Sequence, residues 1–571
     1  MAEPSSTNSE RSPLLPQLPT ASISSASKPS GALANPEVTQ QNDTAPTISA
    51  LRGTLVVVSI GVLIFLQATN MSILTTTQSA IAADLDAFEE ASWLTSSYLI
   101  AISSIAPLSG RLCQLFSPRL CMFVSTVIVC LGCIITSISP SLAVFLLGRA
   151  VTGTGAAGIM IVATIIAVQL AGAKRRGLYI GLINSSLTVG VSLGAVIAGA
   201  LEPKFGWKIL FGIQAPISMI AGLCVLFGIP KKYLTSNSEF AGFSLRQKLA
   251  SIDYFGAVSL TSTILLFLLG LSGRHIMPTP IILSFLLFPL FIINETRTAK
   301  YPIIPVTILR SRGTLLTCLA TVGFMMARWS VLFYTPVYAL AVRAWPPAVA
   351  GSILIPTNLG FGLGGILAGA IHIRRAGSFY APSLASMALL PVTLLVLALT
   401  SLPTTPAAGY VATVFFNGLL TGAALNYTLV HMLHLTPGAA HPIALSLLAT
   451  FRGFSGSFGS AIGGGLFMRI LSRELEDGFA EAGLKHREDL VRRLMGSPAL
   501  VSGLEGKERE VAVGAYVAGI RALFLAAMGL SVVMAFIQAG TGWKGVTEEG
   551  EMGEREVEEE VEGEESLIVG S

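Results

Sequence analysis

Apolar blocks of roughly twenty residues recur from residue 54 to residue 538, and this repetition limits the chain to one solvent. A helix of that length crosses the roughly 30 Å hydrocarbon layer of a bilayer. An isolated strand in lipid would leave its amides unpaired at several kcal/mol each, and the blocks are longer than barrel strands, so every block must be helical. Fourteen helices are expected, at 54–76, 91–110, 119–138, 141–170, 178–201, 207–229, 253–272, 277–294, 314–342, 346–371, 378–401, 406–433, 441–468 and 511–538. The fold class is all-α integral membrane. Composition agrees: hydrophobic residues make up 52% of the chain and charged residues 12%, the latter about half of the roughly 25% found in soluble domains. The net charge of +4 is spread over short clusters between blocks, so it marks topology and not a face for nucleic acid.

The six cysteines all lie in or beside apolar blocks, and the Cys130-x-x-Cys133 pair has neither a second pair nor a nearby histidine. They read as small residues at helix contacts, with no metal site, disulfide framework or cofactor implied. No HExxH or GxxxxGK[ST] pattern occurs, so the chain is expected to be no enzyme and to draw energy from an ion gradient.

Residues 1–50, rich in Ser, Pro and Thr, form an expected disordered tail. A six-helix bundle follows over 51–229, then loops with two linker helices over 230–312, a second six-helix bundle over 313–538, and an acidic tail over 539–571. The second bundle carries a long mixed-charge loop at 469–510, whose Leu and Val spacing suggests an amphipathic helix. Basic residues collect after helices 2, 4, 6, 8 and 10, for example Arg111 and Arg119, Lys174 to Arg176, and Arg374 and Arg375. Such loops stay cytosolic, which places both termini in the cytosol and Asp84, Asp86, Glu89 and Glu90 on the opposite face.

An ion in the middle of an apolar helix costs at least about 2.5–3.5 kcal/mol and therefore faces a bundle interior or an aqueous passage. Three arginines stand out: Arg149 in helix 4, Arg328 in helix 9 and Arg452 in helix 13. Arg328 is the one expected in the solute passage; Arg149 and Arg452 could equally tie helices together. Gln67, Asn70 and Thr77 project from one side of helix 1, and Asn184, Asn417 and Asn426 are further passage candidates. Glycine series in helix 5 (Gly190, Gly194, Gly199), helix 10 and helix 13 allow close backbone contact and bending in both halves of the chain.

Several longer motifs carry a resemblance. They include Ala91-Ser-Trp93, Pro107-Leu-Ser-Gly110-Arg111, Gly148-Arg149-Ala-Val-Thr-Gly153-Thr-Gly155, Gly206-Trp207, Asp253-Tyr254-Phe-Gly256, Ile355-Pro356 and Phe211-Gly-Ile-Gln-Ala-Pro216. Over residues 51–540 the chain resembles the major facilitator superfamily, in its fungal fourteen-helix drug:proton antiporter branch, and within it the vacuolar basic amino acid transporters and multidrug resistance proteins. The resemblance implies a major facilitator fold of two six-helix bundles plus two inserted helices, with solute bound midway across the membrane. It assigns Arg149 to proton coupling, Gly190, Gly194 and Gly199 to the antiporter motif, and Gly110, Arg111, Gln114 and Arg119 to the gating loop. Gln114 stands where the family has an acid, Ser117 where it has glycine, Gln67 where the branch has an aspartate, and Ala195 where the motif has proline. These departures leave the fold intact but remove an obvious proton carrier, and three buried arginines admit an anionic or neutral solute.

Glu10, Leu14 and Leu15 match a sorting signal that adaptor complexes read on vacuole-bound cargo. The leading expectation is a monomeric, proton-coupled carrier of basic amino acids or related solutes in the vacuolar membrane. The alternatives are a plasma-membrane efflux pump for drugs or secreted metabolites, and a solute sensor that does not transport.

Overall fold

The computed structural model describes residues 50–170, 172–229, 243–273, 275–299, 303, 311–372, 379–436, 441–484 and 487–543. Helices account for nearly all of them, and no strand occurs among the described residues. Helix 1 runs over Ala50–Ser72 and continues as Leu74–Asp84. Helices 2, 3 and 4 are Ala91–Leu115, Pro118–Ser137 and Leu142–Leu170. The run Gly172–Gly212 holds helix 5 and the start of helix 6, broken at Gly206, where φ is 74°. Only glycine adopts that backbone freely, and it divides one long apolar stretch into two spans. Helix 6 continues as Gln214–Gly228. Helices 7 and 8 are Tyr254–Ser272 and Pro278–Ile293.

Helix 9 is Arg312–Ala341, and helix 10 comprises Pro347–Ser352 and Leu354–Ile366. Helices 11 to 14 are Tyr380–Thr400, Ala407–His434, His441–Glu481 and Gly506–Ala539. Among the described residues 12 segments are long and apolar enough to span a bilayer. The segment Ser185–Gly228 counts as two because of the Gly206 break, and helix 13 supplies the fourteenth. Helix 13 falls short on hydropathy because its glycines and serines face other helices, not lipid. Helices 13 and 14 reach past their expected ends at 468 and 511, since Arg, Glu and Lys favour helix beyond the lipid as well as within it.

Helices 1–6 form one bundle and helices 9–14 the other, while helices 7 and 8 pair and pack beside helices 2 and 13. The first bundle's core joins Val56, Ile60 and Ile64 of helix 1 to Met122 and Cys133 of helix 3, Val162 of helix 4 and Val225 of helix 6. Ile220, Phe227, Phe285 and Phe536 are exposed instead; large apolar side chains on the outside are what a lipid solvent permits. A Cβ added at Gly190 would fall 2.6 Å from Phe65 O and 2.7 Å from Ala68 Cβ of helix 1. Gly190→Val is therefore expected to pry helices 1 and 5 apart at about 1–3 kcal/mol, read as a lowered melting temperature in detergent.

The two bundles meet along seams of small residues. Ser96 Oγ of helix 2 lies 3.1 Å from Ser460 Oγ of helix 13, and Ser103 Oγ lies 2.8 Å from Ser457 Oγ. On the other side Ser192 of helix 5 donates to Leu354 O (3.4 Å), and Gly199 abuts the backbone of Pro347 and Ala348. The helix 5 to helix 10 contacts lie at the face away from the basic loops, called the distal face below.

A strap crosses that distal face. After helix 13 the chain forms Glu488–Gly496 and the turn Pro498–Gly503 before helix 14 begins. Val491, Leu494 and Met495 bury against Leu471, Leu475 and Tyr516 of the second bundle. The opposite side of the strap grips the first bundle: Arg492 pairs with Asp86 (3.1 Å) and Glu89 (3.5 Å), the Ala499 amide donates to Ser79 Oγ (3.5 Å), and Gly496 rests on Phe88. Asp86 and Glu89 hold the Arg492 proton more tightly than usual. Below the strap, Met495 and Pro498 close one end of a small cavity lined by Thr75, Ser92, Thr95 and Tyr334.

Candidate solute site

Two buried guanidinium centres occupy the interior, one in each bundle. In the first, Arg149 is fully buried and donates from Nε to Leu94 O (3.3 Å) and from Nη1 to Asn70 O (3.3 Å) and Asn70 Oδ1. Its guanidinium also lies 4.4 Å from the Tyr98 ring centroid and 5.6 Å from that of Phe211. Asn70 Nδ2 donates in turn to Gln214 Oε1 (3.1 Å), and Gln214 Nε2 donates to Leu210 O (2.8 Å). The charge is thus spread over carbonyls and aromatic faces from helices 1, 2 and 6, which lowers the cost of burying it.

The second centre is left less complete. Arg328 is 5% exposed, donates from Nη2 to Asn358 Oδ1 (2.7 Å), and covers the Phe361 ring at 4.0 Å. Its Nη1, together with Asn358 Nδ2 and Trp329 Nε1, is buried without any hydrogen-bond partner. Helix 13, which packs against helix 9, carries Arg452. One helical turn beyond it, a Cβ at Gly456 would stand 3.4 Å from Trp329 Nε1 and 3.6 Å from Leu99 of helix 2. Trp329 therefore sits where the two bundles meet.

The structure sorts the sequence-derived residues into different settings. Asn70 belongs to the Arg149 centre. Thr77 is fully buried and donates to Ile73 O (2.9 Å) of its own helix. Gln67 is half-buried; its backbone carbonyl accepts from Tyr98 (3.2 Å), and its Oε1 is unpartnered. Asn417 donates to Thr393 Oγ1 (2.9 Å) between helices 11 and 12, and Asn426 donates to Gly422 O (3.0 Å) beside Gly365 of helix 10. Gly110 and Arg111 lie in the last turns of helix 2 and Arg119 in the first turn of helix 3. Gly190 and Gly194 pack on helix 1, whereas Gly199 packs on helix 10 of the other bundle. The side chains of Gln114 and Asn184, and all of Glu10, Leu14 and Leu15, fall outside the described residues.

Asn358, Trp329, Phe361 and Gln214 complete the two centres and are absent from the sequence-derived set. Asn358 and Gln214 carry the same signal as Asn70, a polar group inside an apolar helix; Phe361 and Trp329 carry none, because an aromatic residue reads as core until its neighbour is known.

The family model of the Major Facilitator Superfamily matches residues 60–468. The chain belongs to that superfamily. Among fungal members it is 25% identical over 452 residues to the vacuolar membrane amino acid uptake transporter fnx2 of Schizosaccharomyces pombe, covering 76% of each chain. It is 28% identical over 349 residues to the MFS-type transporter ppz2 of Metarhizium majus, spanning 58% of the length of each. A solved member, an inward-facing bacterial homologue of the human lysosomal transporter Spinster, shares its fold with a TM-score of 0.60 at 13% identity, covering 86% of this chain and 98% of that one.

Proposed function

We propose that this superfamily member is a secondary active transporter that moves amino acids, basic ones included, or related small solutes across the vacuolar membrane. The observation that carries the reading is the pair of Ser- and Gly-built seams between the bundles, which contain no ion pair among the described residues, together with the incompletely satisfied Arg328 next in sequence to the seam residue Trp329. Smooth seams let one bundle rock on the other while the solute site stays between them. The amino acid uptake function of the fnx2 relative supports the solute class. Protons are the first coupling ion to test, and Glu10, Leu14 and Leu15 supply the sorting signal on a cytosolic N-terminal tail.

Purified protein in proteoliposomes is expected to accumulate a radiolabelled amino acid under an imposed pH gradient and to stop when a protonophore is added. Arg328→Ala is expected to abolish that uptake while the protein stays in the membrane fraction. Uptake by the variant equal to wild type would remove Arg328 from the passage. A tagged chain is expected at the vacuole, and Leu14→Ala with Leu15→Ala is expected to move it to the plasma membrane. Plasma-membrane signal from the unaltered chain would instead favour efflux.

A further inference from the structure

We propose that the Arg328 centre is an oxyanion site: Arg328 Nη1 and Asn358 Nδ2 receive a carboxylate or equivalent oxyanion of the solute. The proposal rests on the transport reading and names the group by which the solute is held.

The argument is a count of donors and acceptors. Arg328 and its hydrogen-bonded neighbour Asn358 each keep an unpartnered buried donor, Arg328 Nη1 and Asn358 Nδ2. A buried donor left unmade costs about 1–3 kcal/mol, and more when charged. Two such donors on hydrogen-bonded neighbours need an acceptor that the described residues do not supply. Asn358 spends its only acceptor on Arg328 Nη2, so its orientation leaves its NH2 free beside the remaining Nη1. None of the ion pairs among the described residues involves Arg328 or Arg452.

Charge points the same way. Among the described residues the acids within the spans are Glu202, Glu295, Glu508, Glu510 and, in the last turns of helix 13, Glu474, Glu476, Asp477 and Glu481, each near a helix end or the Gly206 break. Two positive charges at mid-helix with no carboxylate of the protein nearby disfavour a group that is only cationic. A planar guanidinium fork suits the two oxygens of a carboxylate. The first bundle's arginine is better supplied, because Arg149 donates to three acceptors inside the protein and only its Nη2 is unpartnered.

The test uses the full chain purified in detergent and reads binding by thermal stabilisation and calorimetry, so it does not depend on transport. L-Arginine and agmatine differ by the α-carboxylate alone, and L-glutamate, succinate and inorganic phosphate extend the panel. At least one oxyanion probe is expected to raise the melting temperature, with L-arginine binding at least about tenfold tighter than agmatine, the worth of a charge-assisted hydrogen bond. Arg328→Gln is expected to erase this preference; Arg328→Lys, which keeps the charge and loses the fork, is expected to retain a weakened one. Agmatine binding as tightly as L-arginine, or no shift from any oxyanion, would overturn the site. Transport without carboxylate preference would sink this proposal and leave the carrier reading standing; preference without transport would do the reverse.

Discussion

Arg149→Leu is expected to cost the protein about 3–5 kcal/mol and most of its folded yield, the scale for breaking a buried, hydrogen-bonded charge network. The substitution strips Asn70 Oδ1 and Asn70 O of their donor and removes the cation from the Tyr98 and Phe211 faces. Asn70→Leu is expected to be nearly as severe from the other side, because the guanidinium would remain, fully buried, with only the backbone carbonyls of Leu94 and residue 70 as protein acceptors. Melting temperature and monodispersity in detergent read both effects. A double variant close to the single ones would show that the two residues act as one unit. Wild-type stability of Arg149→Leu would contradict a structural role for this centre.

A disulfide between the strap and the first bundle is expected to eliminate transport. The Ala499 amide and Ser79 Oγ approach to 3.5 Å across the distal face, so Ser79→Cys with Ala499→Cys joins the two halves where an opening motion must part them. Oxidation should stop uptake, and a reductant should restore it, while each single variant transports normally. Full uptake by the oxidised pair would mean that the strap travels with the first bundle. Arg492→Ala is expected to act in the same direction as reduction but weakly, since the Asp86 and Glu89 pairs are exposed to water.

The apolar blocks fixed fourteen spans because lipid demands that every amide find its partner within the helix. Helix 13 was legible as a span despite its polar surface, since its glycines and serines suit helix contacts better than lipid. The amphipathic character of 469–510 was legible too, in the buried Val491, Leu494 and Met495. Its attachment to Asp86 and Glu89 was not, because pairing between exposed charges far apart in sequence leaves no periodic trace. The helix 1 polar face shows the same limit: Gln67, Asn70 and Thr77 share a helix but answer to different neighbours.

What the sequence determined by itself is the solvent, the helical class, the alternation of basic loops and the identity of the three costly arginines, all consequences of local composition against a roughly 30 Å apolar layer. What the tertiary structure decided is how each arginine is compensated. Asn70 and Asn358 are alike in sequence, yet Asn70 gives Arg149 two acceptors, while Asn358 gives Arg328 one. Compensation of a buried charge depends on which carbonyls and rings converge from other helices, and that convergence exists only once the bundles have packed.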